Sequence, residues 1–293
     1  ALPPASEVTV EANPETLTSA LARLLRRAGA TRVSLGAQSF QAPLLAVLER
    51  RAGPDAVRSA FYHLRDAGFD NISLDLLYGI PGQSAADLER DLAEATALAP
   101  EHLSCYELEA KPGTRFTHAH GDELARQAHA MEGYFELVVE ALVGAGYRWY
   151  ETANFCRPGR QAGHNLAYWL GRDYLGLGIG AVSTVDGLRW RNRPSLGGYV
   201  AALAAAAAPP RELESLPREV RSRERLMLGL RLDEPVAFAG LADAVDAEGL
   251  ARMERLGLAE RRGDGIALTR RGRFLGGGVT AELVAETPAK STL

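Results

Sequence analysis

The sequence has little cysteine, no long apolar run and no strong net charge. Only two cysteines occur among 293 residues, which argues against a disulfide framework and is typical of a reducing compartment. No apolar run approaches the roughly 20 residues that cross a bilayer, and no secretory leader is visible. The net charge of −4 gives no reason to expect nucleic acid or an anionic membrane as a partner. Together these absences predict a cytoplasmic globular protein without an integral membrane segment.

The first half of the chain alternates strand-like and helix-like runs. Such alternation predicts parallel βαβ units with right-handed crossovers, arranged as a doubly wound sheet or as a (β/α) barrel. No Gly-x-Gly-x-x-Gly follows the first strand, which disfavours a dinucleotide-binding sheet. The strand-like runs are residues 7–13, 31–40, 70–79, 102–109 and 147–155.

Polar residues interrupt these runs, most visibly Asp75 in "SLDLLYGIPGQ". An unpaired buried carboxylate costs several kcal/mol, so Asp75 must be satisfied by other groups or face a site. Ligands of parallel α/β folds bind at the carboxyl ends of the strands. We therefore predict one site shared between several strands. The candidate polar positions are Glu11, Gln38, Asp75, Glu107 or Glu109, and Glu151.

The segment "HNLAYW" (164–169) places His164 close to Tyr168 and Trp169. An imidazole beside a large aromatic surface suits a porphyrin with an axial nitrogen ligand. A structural turn packed on a core tryptophan explains the same residues, and the sequence alone leaves both interpretations open.

The later part of the chain changes character. "DYLGLGIGAVSTV" (173–185) is glycine-spaced and predicts close backbone approach. Residues 239–275 resemble a winged-helix unit, and residues 251–273 hold seven arginines against three acids. A net +4 predicts at most weak, salt-sensitive binding of nucleic acid, so a solvated face on a packing module is the favoured interpretation.

Nine segments, in order along the chain, resemble the oxygen-independent coproporphyrinogen III oxidase-like radical SAM family, and most closely its HemW heme chaperone branch. "HNLAYW" together with "YETANFCRPG" favours the chaperone branch. The segments are "VTVEANPETL", "RVSLGAQSF", "LDLLYGIPGQ", "LSCYELEAKPGT", "GYRWYETANFCRPG", "HNLAYW", "DYLGLGIGA", "LMLGLRL" and "GLAERRGDGIALTRRGR".

The resemblance implies an α/β fold, namely a partial, open (β/α) radical SAM barrel with a C-terminal helical, winged-helix-like module. It implies that strand-end groups hold S-adenosylmethionine (SAM), and that His164 binds heme and is the candidate ligand of its iron. The implied SAM-binding residues are Glu11, Gln38, Arg50, Asp75 and Val182, the last of these against the adenine.

The chain departs from the family in two places. The Cys-x-x-x-Cys-x-x-Cys loop of the [4Fe–4S] cluster is absent and is expected before Ala1, as is a glycine-rich strand. We therefore expect an N-terminally truncated chain with no cluster ligands, the cluster belonging only to the intact parent. The family also has a histidine where Val182 follows "GIGA".

The expected domains follow from these segments. Residues 1–190 are the barrel portion without its first strand or strands, and 191–214 are a linker with an Ala-rich helix. Residues 215–285 are the C-terminal module, and 286–293 are a disordered tail.

The resemblance predicts a HemW-like chaperone that binds heme and transfers it to an acceptor protein, with peripheral contact to membrane heme proteins. Two alternatives stay open. One is oxidative decarboxylation of coproporphyrinogen III by the same SAM site. The other is a winged-helix regulator that binds nucleic acid.

Overall fold

The computed structural model describes residues 6–285, which form two compact units divided between His164 and Asn165. The predicted tail at 286–293 lies outside the described residues. Among residues 6–285, no helix combines the length and the apolar character needed to span a membrane. The domain boundaries expected from the sequence stay a prediction.

The first unit is built on one six-stranded sheet in the order β1-β2-β3-β4-β6-β5. Its strands are β1 (Thr9–Ala12), β2 (Arg32–Gln38), β3 (Ile72–Tyr78), β4 (His102–Glu107), β5 (Arg148–Trp149) and β6 (Asn154–Cys156). Its helices are α1 (Ser19–Arg27), α2 (Ala42–Val47), α3 (Pro54–Asp66), α4 (Ala85–Ala97), α5 (Arg115–Gln127) and α6 (Met131–Gly144). Strands β1 to β4 are parallel, which confirms the predicted βαβ architecture.

Three helices of the first unit, α1, α4 and α5, begin at side-chain caps. Thr18 caps α1 by accepting from the backbone N–H of Leu21, and Ser84 and Asp87 form a reciprocal capping box on α4. Helix α4 buries Leu88 and Leu92 and packs on β3. The caps on α1 and α4 therefore fix where these two crossover helices start.

The prediction of one parallel strand over 147–155 is wrong. This stretch forms the short antiparallel pair β5 and β6, and β6 also runs antiparallel to β4. The cause is a turn closed by the Glu151 carboxylate, which accepts from the Ala153 backbone N–H and from the Asn154 side-chain amide. A carboxylate that binds its own downstream backbone in this way folds the chain back.

The sheet has two faces of opposite character. The face toward the helices is apolar and includes Leu35, Leu74, Leu103 and Phe155, each completely buried. We call the opposite side the polar face. Register places its residues in adjacent rows across the strands, except Gln38, which pairs with Leu76 after a register shift and reaches the polar face because its side chain folds over Gly36. The polar face comprises Glu11, Ser34, Gln38, Ser73, Asp75, His102, Ser104, Tyr106 and Asn154.

The second unit begins within α7 (Gly163–Trp169) and holds two small antiparallel sheets. One is β7 (Val182–Val185), β8 (Leu188–Asn192) and β9 (Arg211–Ser215); the other is β10 (Val236–Ala237), β11 (Ala259–Arg262) and β12 (Gly265–Leu268). Its further helices are α8 (Leu196–Ala204), α9 (Arg218–Gly229), α10 (Ala247–Arg255), α11 (Arg270–Phe274) and α12 (Gly276–Leu283).

Two sequence features of the second unit are explained by its packing. A Cβ added at Gly176 would lie 2.2 Å from the Val182 carbonyl oxygen, which confirms the close backbone approach predicted for 173–185. Residues 191–214, expected to be a linker with an Ala-rich helix, hold the end of β8, all of α8 and most of β9. Leu226, Leu250 and Ile266 belong to one buried apolar core that joins α9, α10 and the β10–β12 sheet, which agrees with the predicted C-terminal helical module.

Candidate functional site

Asp75 lies in the middle of the polar face and is surrounded by hydroxyl groups. The Ser34 hydroxyl lies 3.0 Å from both carboxylate oxygens, and Ser73 and Ser104 contribute further hydrogen bonds. Burial raises the pKa of the Asp75 carboxyl, and the hydrogen bonds from Ser104 and Ser34 offset this effect in part. The hydrogen-bond partners of the carboxylate are thus serine hydroxyls, which can rotate. The carboxylate can therefore exchange these hydrogen bonds for hydrogen bonds to a ligand.

A chain of buried hydrogen bonds leads from Asp75 across the sheet. The Ser73 hydroxyl lies 2.8 Å from Nδ1 of His102, and Nε2 of His102 lies 2.8 Å from the Tyr150 hydroxyl. The Tyr150 oxygen also accepts from the backbone N–H of Ala162 at 3.2 Å. Burial, with the Arg32 charge adding to it, lowers the pKa of His102 well below its usual value, so the imidazole is neutral. Ala162 immediately precedes α7.

Gln38 adopts an unusual backbone conformation at the carboxyl end of β2. Its φ is +65°, in the left-handed region that residues other than glycine rarely occupy. The register between β2 and β3 shifts at this point, and the Gln38 side chain folds over Gly36, where an added Cβ would meet its Nε2 at 2.9 Å. Such strain clusters at ligand sites and supports a binding role for Gln38.

Arg50 lies beside this end of the sheet. Its guanidinium donates to the side-chain oxygen of Asn13 at 3.2 Å, and Asn13 directly follows β1. An added Cβ at Gly36 would lie 3.8 Å from that same Asn13 oxygen. The structure therefore gathers Arg50 and Gln38 at the carboxyl ends of β1 and β2.

The remaining predicted residues occupy different places. Glu11 is exposed on β1 and faces Ser34 in register, so it belongs to the polar face. Val182 starts β7 in the second unit, and its role toward adenine stays a prediction. Glu151 closes the β5–β6 turn, and Glu107 points to the face opposite Asp75.

His164 is exposed in the first turn of α7. The carboxylate of Glu7 accepts from the backbone N–H groups of Gly163 at 3.0 Å and His164 at 3.3 Å. A carboxylate on these otherwise unsatisfied donors stabilises a helix start. Glu7 thus holds the turn that presents His164, and it lies two residues before β1.

Several of these residues were missed by reasoning from the sequence, although a signal existed. In "EHLSCYE" the polar residues His102, Ser104 and Tyr106 alternate with the buried Leu103 and Cys105. A period of two with polar residues on one face marks a strand whose second face borders a polar site. Glu7 gave no such signal, because its partners lie more than 150 positions away.

Comparison with known proteins places the chain in a family. The sequence model of the radical SAM superfamily matches residues 2–95, and that of the HemN C-terminal domain matches residues 216–275. The heme chaperone HemW of Mycobacterium tuberculosis is 36% identical over 287 residues, which cover 97% of this chain and 73% of the relative. The chain belongs to the HemW family.

Other HemW proteins agree with this assignment. The heme chaperone HemW of Bacillus subtilis is 32% identical, with 96% of this chain and 76% of the relative covered. That of Escherichia coli is 34% identical over 82% of this chain. Among solved structures, coproporphyrinogen III oxidase (HemN) of Escherichia coli matches with a TM-score of 0.73 at 20% identity, covering 96% of this chain and 70% of that chain. This likeness confirms the radical SAM type of fold.

Membership of the radical SAM superfamily implies SAM and a [4Fe–4S] cluster. The polar face fits SAM, because it combines carboxylates, an amide and a nearby guanidinium that match the ammonium, hydroxyl and carboxylate groups of that molecule. The cluster does not fit residues 6–285. No group of three potential ligands comes together there, and the buried Cys105 and Cys156 lie on opposite faces of the sheet.

Proposed function

We propose that the protein binds heme and passes it to an acceptor protein in the cytoplasm, which is consistent with the name heme chaperone HemW carried by its relatives. The observation that carries this proposal is the "HNLAYW" segment, which forms α7 and exposes His164 at its first turn. A neutral histidine nitrogen is a common axial ligand of heme iron. Exposure suits a carrier, because the cargo must leave as well as enter.

The residues around α7 hold His164 in position for heme. Glu7 fixes the first two N–H groups of the helix, and Tyr150 fixes that of Ala162. His164 is thereby presented on an ordered turn, while Asn165 next to it offers an amide that can orient the ring. Preorganisation of this kind lowers the entropic cost of binding.

The polar face serves SAM in this proposal. Asp75 and Glu11 bind the ribose hydroxyls and the ammonium group, Gln38 bonds the ligand from its strained strand end, and Arg50 pairs with the carboxylate. The role of Val182 against the adenine stays a prediction from the sequence. When bound, SAM would supply a sulfonium and an adenosyl group.

The two other functions find less support. Likeness to coproporphyrinogen III oxidase at 20% identity concerns the fold alone, whereas the relatives above 30% carry the chaperone name. Within the C-terminal module, Arg252 pairs with Glu282 and Arg261 with Glu254. Internal pairing of these arginines weakens the case for phosphate contacts.

Heme transfer tests the proposal directly. The protein loaded with one equivalent of hemin is mixed with apomyoglobin, and transfer is followed by the growth of the myoglobin Soret band. We expect a saturable 1:1 loading and a transfer rate that a Glu7→Ala variant changes, since the α7 turn is then released. Absence of stoichiometric hemin binding to the unmodified protein would overturn the proposal.

A further inference from the structure

The second unit contains a cavity of about 640 Å³ that none of the predicted site residues explains. Its volume lies within the range of roughly 300–1,000 Å³ found for small-molecule sites. Three aromatic rings line it, those of Tyr168, Trp169 and Tyr174, together with the apolar side chains of Met227 and Leu228. Such walls suit a flat, largely apolar ligand.

The aromatic wall is ordered by contacts within the same unit. The rings of Tyr168 and Tyr174 meet edge to face with centroids 4.7 Å apart. The Arg231 guanidinium lies over the Trp169 ring, 4.3 Å from its centroid. The Trp169 indole N–H is buried and has no hydrogen-bond partner among residues 6–285. A buried donor without a partner is costly, so Trp169 would gain stability from any acceptor that reaches it.

Helix α9 brings positive charge to the cavity. Arg221, Glu224, Arg225 and Leu228 all line it, and their spacing of three, one and three residues places them on one helix face. This face is separate from Leu226, which packs into the core of the C-terminal module. The cavity side of α9 is therefore not needed to hold that module together.

Only one of the lining arginines is neutralised by a strong ion pair. Arg189 makes two hydrogen bonds to the Glu224 carboxylate, at 2.9 and 2.6 Å. The exposed Arg172, Arg221 and Arg225 form no ion pair among residues 6–285. Asp173 and Asp186 also line the cavity, so the unpaired arginines outnumber the remaining acids three to two.

The placement of Arg221 and Arg225 is unfavourable without a ligand. Like charges four residues apart on a helix repel each other. Two carboxylates held by these guanidinium groups would remove that repulsion, since arginine binds carboxylates through paired hydrogen bonds.

We propose that this cavity binds a planar tetrapyrrole, with the ring against Tyr168, Trp169 and Tyr174 and its propionate carboxylates on Arg221 and Arg225. The choice of ligand rests on the proposed heme function, because a tetrapyrrole dicarboxylate is the heme-related molecule that combines a broad aromatic plane with two adjacent anions. The cavity recognises the macrocycle and its acids rather than the iron.

Metal-free protoporphyrin IX tests this site apart from any iron ligand. The unmodified protein, an Arg221→Gln/Arg225→Gln variant and an Arg218→Gln control are titrated and followed by porphyrin fluorescence. Arg218 lies on α9 but does not line the cavity. We expect the double variant to bind at least about tenfold more weakly, which corresponds to the loss of charged hydrogen bonds, and the control to bind normally.

Protoporphyrin IX dimethyl ester provides the second arm. Its carboxylates are blocked, so it should bind the unmodified protein weakly and should not distinguish the variants. The cavity proposal would be overturned if the unmodified protein bound protoporphyrin IX and its dimethyl ester with equal affinity. It would also be overturned if the double variant kept the affinity of the unmodified protein and a native circular dichroism spectrum. Normal hemin binding alongside either result would leave the chaperone function standing, whereas failure of hemin itself would overturn that function.

Discussion

The two faces of the six-stranded sheet show how one set of strands carries both a fold and a site. On the helix side, Leu35, Leu74 and Leu103 are completely buried among apolar neighbours. On the other side, in the same strands, Ser34, Asp75 and Ser104 form a hydrogen-bonded row. Burying polar groups adds less stability than burying apolar ones, which favours the prediction that the polar face binds a ligand.

The largest expected difference between the faces comes from adjacent residues of β3. Leu74→Ala removes a fully buried side chain and should lower the free energy of unfolding by about 3–4 kcal/mol. Ser73→Ala, one position earlier on the polar face, should cost only about 1–2 kcal/mol, the worth of its hydrogen bonds. Urea unfolding measures both, and equal losses would contradict the contrast between the faces.

Asp91 offers a second contrast, because it is a buried carboxylate with a structural role. It accepts from the Phe40 backbone N–H and the Ser39 hydroxyl, both at 2.7 Å, and so fixes the turn before α2. Burial raises the pKa of this carboxyl, as for Asp75. Asp91→Asn should still lower the free energy of unfolding by about 2 kcal/mol, because the new NH2 group would face the Ser39 hydroxyl, which then loses its acceptor and already accepts from the Gln41 backbone N–H.

Glu89→Gln is the control for Asp91→Asn, since Glu89 is exposed on the same helix. Its free energy of unfolding should stay within about 0.5 kcal/mol of the unmodified protein. An Asp91→Asn protein as stable as this control would show that the turn is held by other groups.

Tyr150 links the polar face to α7, and its hydroxyl can be removed without loss of ring packing. Tyr150→Phe leaves His102 and the Ala162 N–H without their partner and should cost about 1–2 kcal/mol of unfolding free energy. Amide hydrogen exchange should then be faster at residues 162–164. Protection unchanged from that of the unmodified protein would mean that Tyr150 does not order this turn.

Asp75→Asn, unlike the preceding variants, should slightly raise the free energy of unfolding. The pKa of Asp75 is raised in the folded protein, so the contribution of this group to stability is fully present below the unfolded pKa of about 4 and is lost as the pH rises through the folded value. The asparagine variant lacks this fall and should be more stable at pH 8 by about 1 kcal/mol. The three serine hydroxyls around it can reorient toward an amide.

Thermal unfolding between pH 4 and pH 8 checks the sign of this effect. The two proteins should have similar melting temperatures at pH 4 and should diverge as the pH rises. Millimolar SAM should raise the melting temperature of the unmodified protein more than that of Asp75→Asn. A variant that is less stable at pH 8, with the same response to SAM, would make Asp75 a structural residue.

Sequence periodicity predicted the parallel strands well, because their buried runs and capped helices follow local rules. The polarity of Asp75 in an apolar run likewise predicted a site. The hairpin of β5 and β6 could not be predicted in this way, since the turn depends on the Glu151 side chain accepting from residues after it. A continuous β-rich stretch of sequence gives no indication of such a turn.

Long-range contacts set the other limit on prediction. The role of Glu7 arises only when it meets the backbone of Gly163 and His164, and the row from Ser73 through His102 to Tyr150 depends on strand register. Neither the Glu7 contact nor this hydrogen-bonded row can be read from a short stretch of sequence. The left-handed conformation of Gln38 is equally invisible in "GAQSF", because glutamine rarely adopts it without support from neighbouring structure.

Hemin titration of three proteins tests most directly whether His164 holds the heme. The unmodified protein, His164→Ala and His129→Ala are each titrated and followed by the Soret band, His129 being an exposed histidine outside α7. We predict a shifted Soret band and weaker binding for His164→Ala only, because the axial nitrogen is lost. Full affinity and an unchanged spectrum for His164→Ala would show that the iron is bound elsewhere.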